Sequence, residues 1–153
     1  MDTLESTIAT HPFTKDLNPR FLHLLNECAT FERFGAGQQI FQESFEADRF
    51  YLIHRGRVAL QTFVPATGVT TIQTVGTGEA LGWSWLYPPY RWHFSAVAVE
   101  PVEVAGLCAR TLRDRMQENH EFGYEIVLRV GHLMLERLQA TRLRLLEMYG
   151  VPG

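Results

Sequence analysis

The sequence predicts a mainly β fold, a barrel or sandwich of short strands that closes with helices. Three observations predict it. Between residues 31 and 107, short runs rich in β-branched and aromatic residues alternate with Gly and Pro turn signals. The only long run with a 3.6-residue period begins at Glu121 and ends at Gly150, with Pro152 just beyond. The chain has 153 residues, 46% apolar and 20% charged with a net charge of -3, the composition of an ordinary soluble protein. A chain of this length folds as one domain that buries roughly 70% of its unfolded surface.

The elements follow in order. Residues 1 to 12 carry few signals beyond His11-Pro12, a turn entering a helix. Apolar Phe13, Leu17, Phe21, Leu24, Leu25 and Cys28 recur at intervals of three and four, and Pro19 suits a first helical turn, so a helix covers about 18 to 28. The period then changes. Phe31, Arg33 and Gly35 lead into Ala36-Gly37, then Gln39-Ile40-Phe41, then the run 48 to 54 with Phe50, Tyr51, Leu52 and Ile53. Arg55-Gly56 reads as a tight hairpin between 50 to 53 and 58 to 64, and Pro65-Ala66-Thr67-Gly68 as a longer turn before 69 to 75. Together these make a meander of antiparallel pairs. Residues 95 to 99 alternate small and apolar side chains, Glu100-Pro101 breaks the strand, and 102 to 107 supply another. The strand region thus spans about 30 to 108, and two helices, a short one over 110 to 119 and the long one, fill about 110 to 149.

The last helix carries two apolar stripes. Val127, Met134, Thr141 and Met148 fall seven apart, with Gly131, Leu138 and Leu145 between them, an a/d seam of about three heptads that suits pairing with a second copy. Ile126, Leu133, Leu143 and Leu146 lie off the seam and suit the protomer's own barrel. One helix covering one core is the alternative; the separation of the stripes favours a homodimer.

Composition narrows the function. No acidic or basic tail marks a polyanion partner. Of the 14 basic residues only Lys15 is lysine, so the positive charge sits on guanidinium forks that prefer carboxylates and phosphates. Cys28 and Cys108 are far apart in sequence, lack zinc spacing and sit in apolar patterns, as expected of buried free thiols in a reducing cytoplasm. There is no apolar leader and no run of 18 apolar residues, so a cytoplasmic protein without a membrane partner is expected.

The stretch from 76 to 99 carries the densest signal. Gly76, Gly78 and Gly82 surround Glu79, Ala80 and Leu81, so that backbone amides can turn toward an anion. Glu79 is acceptor-only and suits a hydroxyl, while the Arg91 fork suits a phosphate. Such a Gly-x-Gly-Glu run also marks a plain β-turn. All three tryptophans lie here, and Trp83, Trp85, Tyr87, Tyr90, Trp92 and Phe94 form either a lid over a ligand or a filling of the pocket itself.

In order and motif the chain resembles the cyclic-nucleotide-binding domain of the catabolite-activator-like (Crp/Fnr) regulators over roughly 11 to 149. The resemblance rests on Phe34-Gly35-Ala36-Gly37-Gln38, on Phe50-Tyr51-Leu52-Ile53 with Gly56-Arg57-Val58-Ala59-Leu60, and on Gly78-Glu79 with Gly82. Glu100-Pro101-Val102-Glu103-Val104 and Leu138-Gln139-Ala140-Thr141 complete it. It implies a double-stranded β-helix jelly roll flanked by an N-terminal helix and a long C-terminal dimerisation helix. It also implies an acid at Glu79 on the ribose, an arginine and the amide end of a short helix on the cyclic phosphate, and a purine contact near Thr141 and Arg142. The family's Arg-Ser/Thr-Ala run falls on Trp92-His93-Phe94, with Arg91 one residue earlier, and a shift of one reverses the face of a strand residue. Thr141 is either that purine contact or a seam residue, and Arg142 either stacks on a base or blocks one.

The reading is a stand-alone, non-enzymatic sensor of cyclic AMP, cyclic GMP or another small anionic ligand, dimeric and read by an unidentified protein partner. Residues 151 to 153 are too few for a recognition helix, so no direct nucleic-acid contact is expected. One rival is a degenerate domain whose pocket is filled by aromatics, leaving a dimeric scaffold. The other is a metal-bound jelly-roll enzyme, which needs clustered histidines; the six here are scattered, and His132 with Glu136 reads as a surface pair.

Overall fold

The computed structural model describes residues 3–150. Pro152 and the rest of 151–153 lie outside the described residues. The chain opens with α1 (Leu4–Thr10), a 3-10 turn (Pro12–Thr14) and α2 (Pro19–Glu27). Eight strands follow: β1 (Ala29–Phe34), β2 (Gln39–Phe41), β3 (Arg49–Arg55), β4 (Arg57–Val64), β5 (Gly68–Gly76), β6 (Ala80–Leu81), β7 (Ser95–Ala98) and β8 (Val102–Cys108). Helices α3 (Ala109–Glu118) and α4 (His120–Met148) close the chain.

Helix α2 matches the expected span because its ends are written locally. Asn18 caps it by accepting from Arg20 N, and Pro19 occupies the first turn. Helix α1 escaped the periodicity reading. Seven residues are too few for a clear period, and its capping box uses Ser6 with Thr3 where a glutamate or glutamine is the usual signal.

The strands form two antiparallel four-stranded sheets, in the orders β1-β8-β3-β6 and β2-β7-β4-β5, a jelly roll with the core between them. Strands β4 and β5 pair as the expected hairpin around the 65–68 turn. The Arg55-Gly56 hairpin does not form: β3 pairs with β8 and β6, β4 with β5 and β7. Gly56 is a corner where the chain leaves one sheet for the other. Its φ is +104°, and a Cβ there would press on the Pro101 carbonyl and Val102.

Sheets and helices share one core. Phe13 meets Phe50 edge-on at 5.0 Å, Phe50 stacks on Trp85 at 5.2 Å, and Phe21 of α2 reaches Phe122 of α4 at 5.4 Å. Burial of side chains of this size contributes roughly 1.5–3 kcal/mol each. On α4 the barrel-facing stripe is real at its start, where Ile126 is buried and Leu133 packs on the core. Leu143 departs from it at 47% exposure, although Arg144 beside it still donates to the Ile72 carbonyl of β5 and Leu146 is half-buried. The seam positions Val127, Leu138, Leu145 and Met148 are exposed.

Candidate functional site

Strand β3 positions the glycine-rich turn. Ile53 donates from its amide to the Glu79 carbonyl at 2.9 Å and accepts from Gly78 N at 3.1 Å, and β6 pairs beside it with Tyr51 opposite Leu81. The turn closes on itself, since Glu79 N donates to Gly76 O at 3.0 Å and the Glu79 carboxylate accepts from Gly76 N at 2.6 Å. Glu79 is therefore an exposed acid held in place by its own turn.

A cleft of about 970 Å³ runs between this turn and α4, walled at one end by the N-terminal segment. Gly78, Glu79 and Ala80 form one side, Gln73 joins them, His11 to Phe13 form the end, and α4 supplies Leu133, Glu136, Arg137 and Ala140. The N-terminal wall is fastened twice. Arg129 donates to the Phe13 carbonyl at 2.6 Å, and His11 Nε2 lies 3.1 Å from the Glu79 carbonyl oxygen while its Nδ1 accepts from Phe13 N. Accepting at Nδ1 leaves Nε2 as the protonated nitrogen that donates to Glu79. Burial holds the imidazole below its ordinary value.

Arg137 is the residue that sequence reading missed. Its Nη2 donates to the Ala80 carbonyl at 2.9 Å, and its guanidinium stands 5.5 Å from the Trp83 ring centroid. Nη1 is buried without a hydrogen-bond partner. Burial draws this group below the ordinary arginine value, against the carboxylates of Glu79 and Glu136, which favour its charge. The available signal was spacing: Arg137 lies one helical turn before Thr141, and its carbonyl accepts from Thr141 Oγ1 at 2.9 Å.

The remaining sequence candidates are dispersed. Leu81 is fully buried in the core. Arg91 and Trp92 lie in an extended segment against 44–46, where Trp92 N donates to Phe45 O and Ser44 N to Trp92 O. Neighbouring side chains on such a segment point to opposite faces. Trp92 goes in, 3% exposed and stacked on Phe41 at 3.8 Å and 11°. Arg91 goes out, donating to the Ser44 carbonyl at 3.2 Å, so the expected phosphate fork does not reach the cleft. The Trp92 ring lies so close over Gly82, at φ +81°, that a Cβ there would overlap its Cζ3 atom. Gly82 serves that close approach and does not line the cleft. His93 is exposed, with Nδ1 3.1 Å from Ser84 Oγ. Thr141 and Arg142 are exposed on α4 and stand clear of the cleft.

The short helix implied after Gly82 is replaced by turns, with Leu86 N donating to Trp83 O and Tyr90 N to Tyr87 O. Arg113 of α3 fastens this loop, donating to the Trp85 carbonyl at 2.6 Å and lying 4.0 Å from the Tyr90 ring centroid. The aromatics divide accordingly: Trp85 and Trp92 are core, Trp83 is half-buried beside Arg137, and Tyr87 is exposed.

The model of the cyclic nucleotide-binding domain matches residues 31–119, more than half of the chain. The chain belongs to that family. This cyclic nucleotide-binding domain is similar to a proposed cyclic nucleotide-binding protein from Geobacter metallireducens GS-15, with 28% identity and a TM-score of 0.79 over 90% of this chain and 99% of that one. It shares its fold with a cyclic nucleotide-binding domain from Methylobacillus flagellatus, at 21% identity and a TM-score of 0.80 over 95% of this chain and 82% of that one. It also shares it with the Thermus thermophilus catabolite activator protein, at 23% identity and a TM-score of 0.70 over 90% and 63% of the two chains. A comparison with curated proteins finds no match. Among the described residues, no group of three or more His, Cys, Asp or Glu side chains is placed to hold a metal ion, and no helix is long and apolar enough to cross a membrane.

Proposed function

We propose that this cyclic nucleotide-binding domain is a non-enzymatic regulatory sensor whose ligand, cyclic AMP, cyclic GMP or a small anion of similar shape, occupies the cleft between the 78–80 turn and α4. Arg137 carries the reading. A buried guanidinium nitrogen without a partner is costly, and an anionic ligand group in the cleft would satisfy it. Glu79 stands beside it to accept from a ligand hydroxyl. In this arrangement the cation comes from the helix, replacing the strand arginine that Trp92 displaces.

Signalling would run through α4, which lines the ligand cleft, Val127 and Gly131 of the seam included, and presents the exposed Leu138, Leu145 and Met148 clear of it. Two copies pairing along that seam would bury it. A ligand pulling on Arg137 then shifts the pairing helix directly, and a downstream protein reads the change.

One observation favours a second reading, a dimeric scaffold without ligand. The buried Trp92 stacked on Phe41 fills the place that the resemblance gives to the phosphate-pairing arginine. Isothermal titration of the full chain with cyclic AMP and cyclic GMP separates the two. Saturable heat that is weakened in both Glu79→Ala and Arg137→Ala supports the sensor. Absence of heat at millimolar ligand, with a dimer in sedimentation, supports the scaffold.

A further inference from the structure

Cys28 and Cys108, eighty positions apart in the sequence, are neighbours in the fold. The antiparallel register of β1 on β8 pairs Ala29 with Leu107, and one step further Cys108 N donates to the Cys28 carbonyl at 2.8 Å. Cys28 is the C-cap of α2 and its own amide donates within that helix, so this one bond joins the pair; with standard backbone dimensions it keeps the two Cα atoms within roughly 6.7 Å, inside the range a disulfide spans. Both thiols are free. Each also addresses the same helix: Cys108 is the N-cap residue of α3 and its sulfur accepts from Thr111 Oγ1 at 3.5 Å, while Cys28 feels the charge of Arg115 one turn later.

We propose that Cys28 and Cys108 form a peroxide-responsive thiol pair that closes to an intramolecular disulfide, linking the end of α2 to the start of α3. The two sulfurs differ in the way such chemistry requires. Cys108 is half-buried at a helix N-terminus, and the Thr111 hydroxyl, with Arg49 nearby, lowers its thiol below the ordinary value and favours thiolate. Cys28 is buried, its Sγ–H donates to the Leu24 carbonyl, and burial pushes it up to about 11. Cys108 is the attacking sulfur and Cys28 the resolving one.

The steps balance with a peroxide as oxidant. The Cys108 thiolate attacks one peroxide oxygen, forming S–O and breaking O–O; hydroxide leaves and takes a proton to become water. The Cys28 sulfur then attacks the sulfenic sulfur, forming S–S and breaking S–O, and the Cys28 proton leaves with the hydroxyl as a second water. Two thiols are oxidised and one peroxide is reduced.

The test is thiol titration and intact mass of the full chain after hydrogen peroxide treatment. The expected result is loss of both thiols within one chain and a mass lower by two hydrogens, restored by dithiothreitol. In Cys28→Ser, where serine can still donate to Leu24 O, the mass should rise by one oxygen and dimedone should trap Cys108. In Cys108→Ser, oxidation of the remaining thiol should slow by about tenfold or more. A wild-type product carrying only added oxygen, bridges only between chains, or faster oxidation of Cys28 than of Cys108 would overturn the proposal.

Discussion

Nη2 of Arg137 donates to the carbonyl oxygen of Ala80 at 2.9 Å, so a single side chain ties α4 to the β6 end of the glycine-rich turn. The bond joins α4, the helix proposed to pair, to the wall of the cleft. Removing it has two separable effects. Arg137→Ala should lower stability by about 1–3 kcal/mol, the usual effect of losing a charged hydrogen bond, and should weaken cyclic nucleotide binding by about tenfold or more. Urea unfolding and titration calorimetry read the two. Unchanged affinity would remove Arg137 from the binding site.

Arg91→Ala should leave both quantities alone. Its guanidinium lies outside, on the Ser44 carbonyl, and surface changes of this kind stay within about 0.5 kcal/mol. A loss of ligand affinity in this variant would mean that the 91–92 segment rearranges on binding.

Gly82→Ala should destabilise the domain by about 1–3 kcal/mol, because a Cβ meets the Trp92 ring and the left-handed backbone strains any side chain. The denaturation midpoint measures this. Trp92→Leu in the same background should recover part of the loss, since it removes the overlapping ring atoms.

The proposed pairing of α4 predicts that Leu138→Arg yields monomers in sedimentation velocity at concentrations where the wild type is dimeric. Leu138 is 65% exposed on one protomer, so the fold should survive. In a dimer the two arginines would face each other, buried and unpaired. A variant that stays dimeric would place the interface elsewhere.

Acid should weaken the N-terminal wall of the cleft through His11. Its folded pKa lies below the ordinary 6.5 because burial disfavours the cation. The unfolded chain therefore binds the proton more readily, and the contribution of neutral His11 is present in full above 6.5 and is lost as the pH falls toward the folded value. Unfolding midpoints at about pH 7.5 and about pH 5.5 should differ more in the wild type than in His11→Gln. An equal difference would assign the acid sensitivity to other groups.

Much of the fold was legible because its signals are local. Asn18 and Pro19 set the start of α2, the 65–68 turn fixed the β4–β5 hairpin, and the 3.6 period over 121–149 traced α4. The direction of Arg91 stayed open in the sequence, because a shift of one residue reverses the face; in the structure Arg91 turns outward and Trp92 takes the inward position. The Gly-x-Gly-Glu spacing pointed to the Gly78-Glu79 turn, which in the structure is one side of the cleft. Where local rules were used beyond their reach they failed. Arg55-Gly56 resembles a hairpin turn, but its flanking strands join different sheets.

By itself the sequence determined the kinds of element and their order, and it singled out the Gly78-Glu79 turn, because turn chemistry and hydrophobic period act between residues a few positions apart. Only the tertiary structure decided that Arg137 and His11 meet at the Glu79 turn, that Trp92 closes over Gly82, and that Cys28 stands opposite Cys108. Those pairs are set by how the sheets close and how α4 returns across them. That closure depends on burying the whole core at once, and no local spacing encodes it.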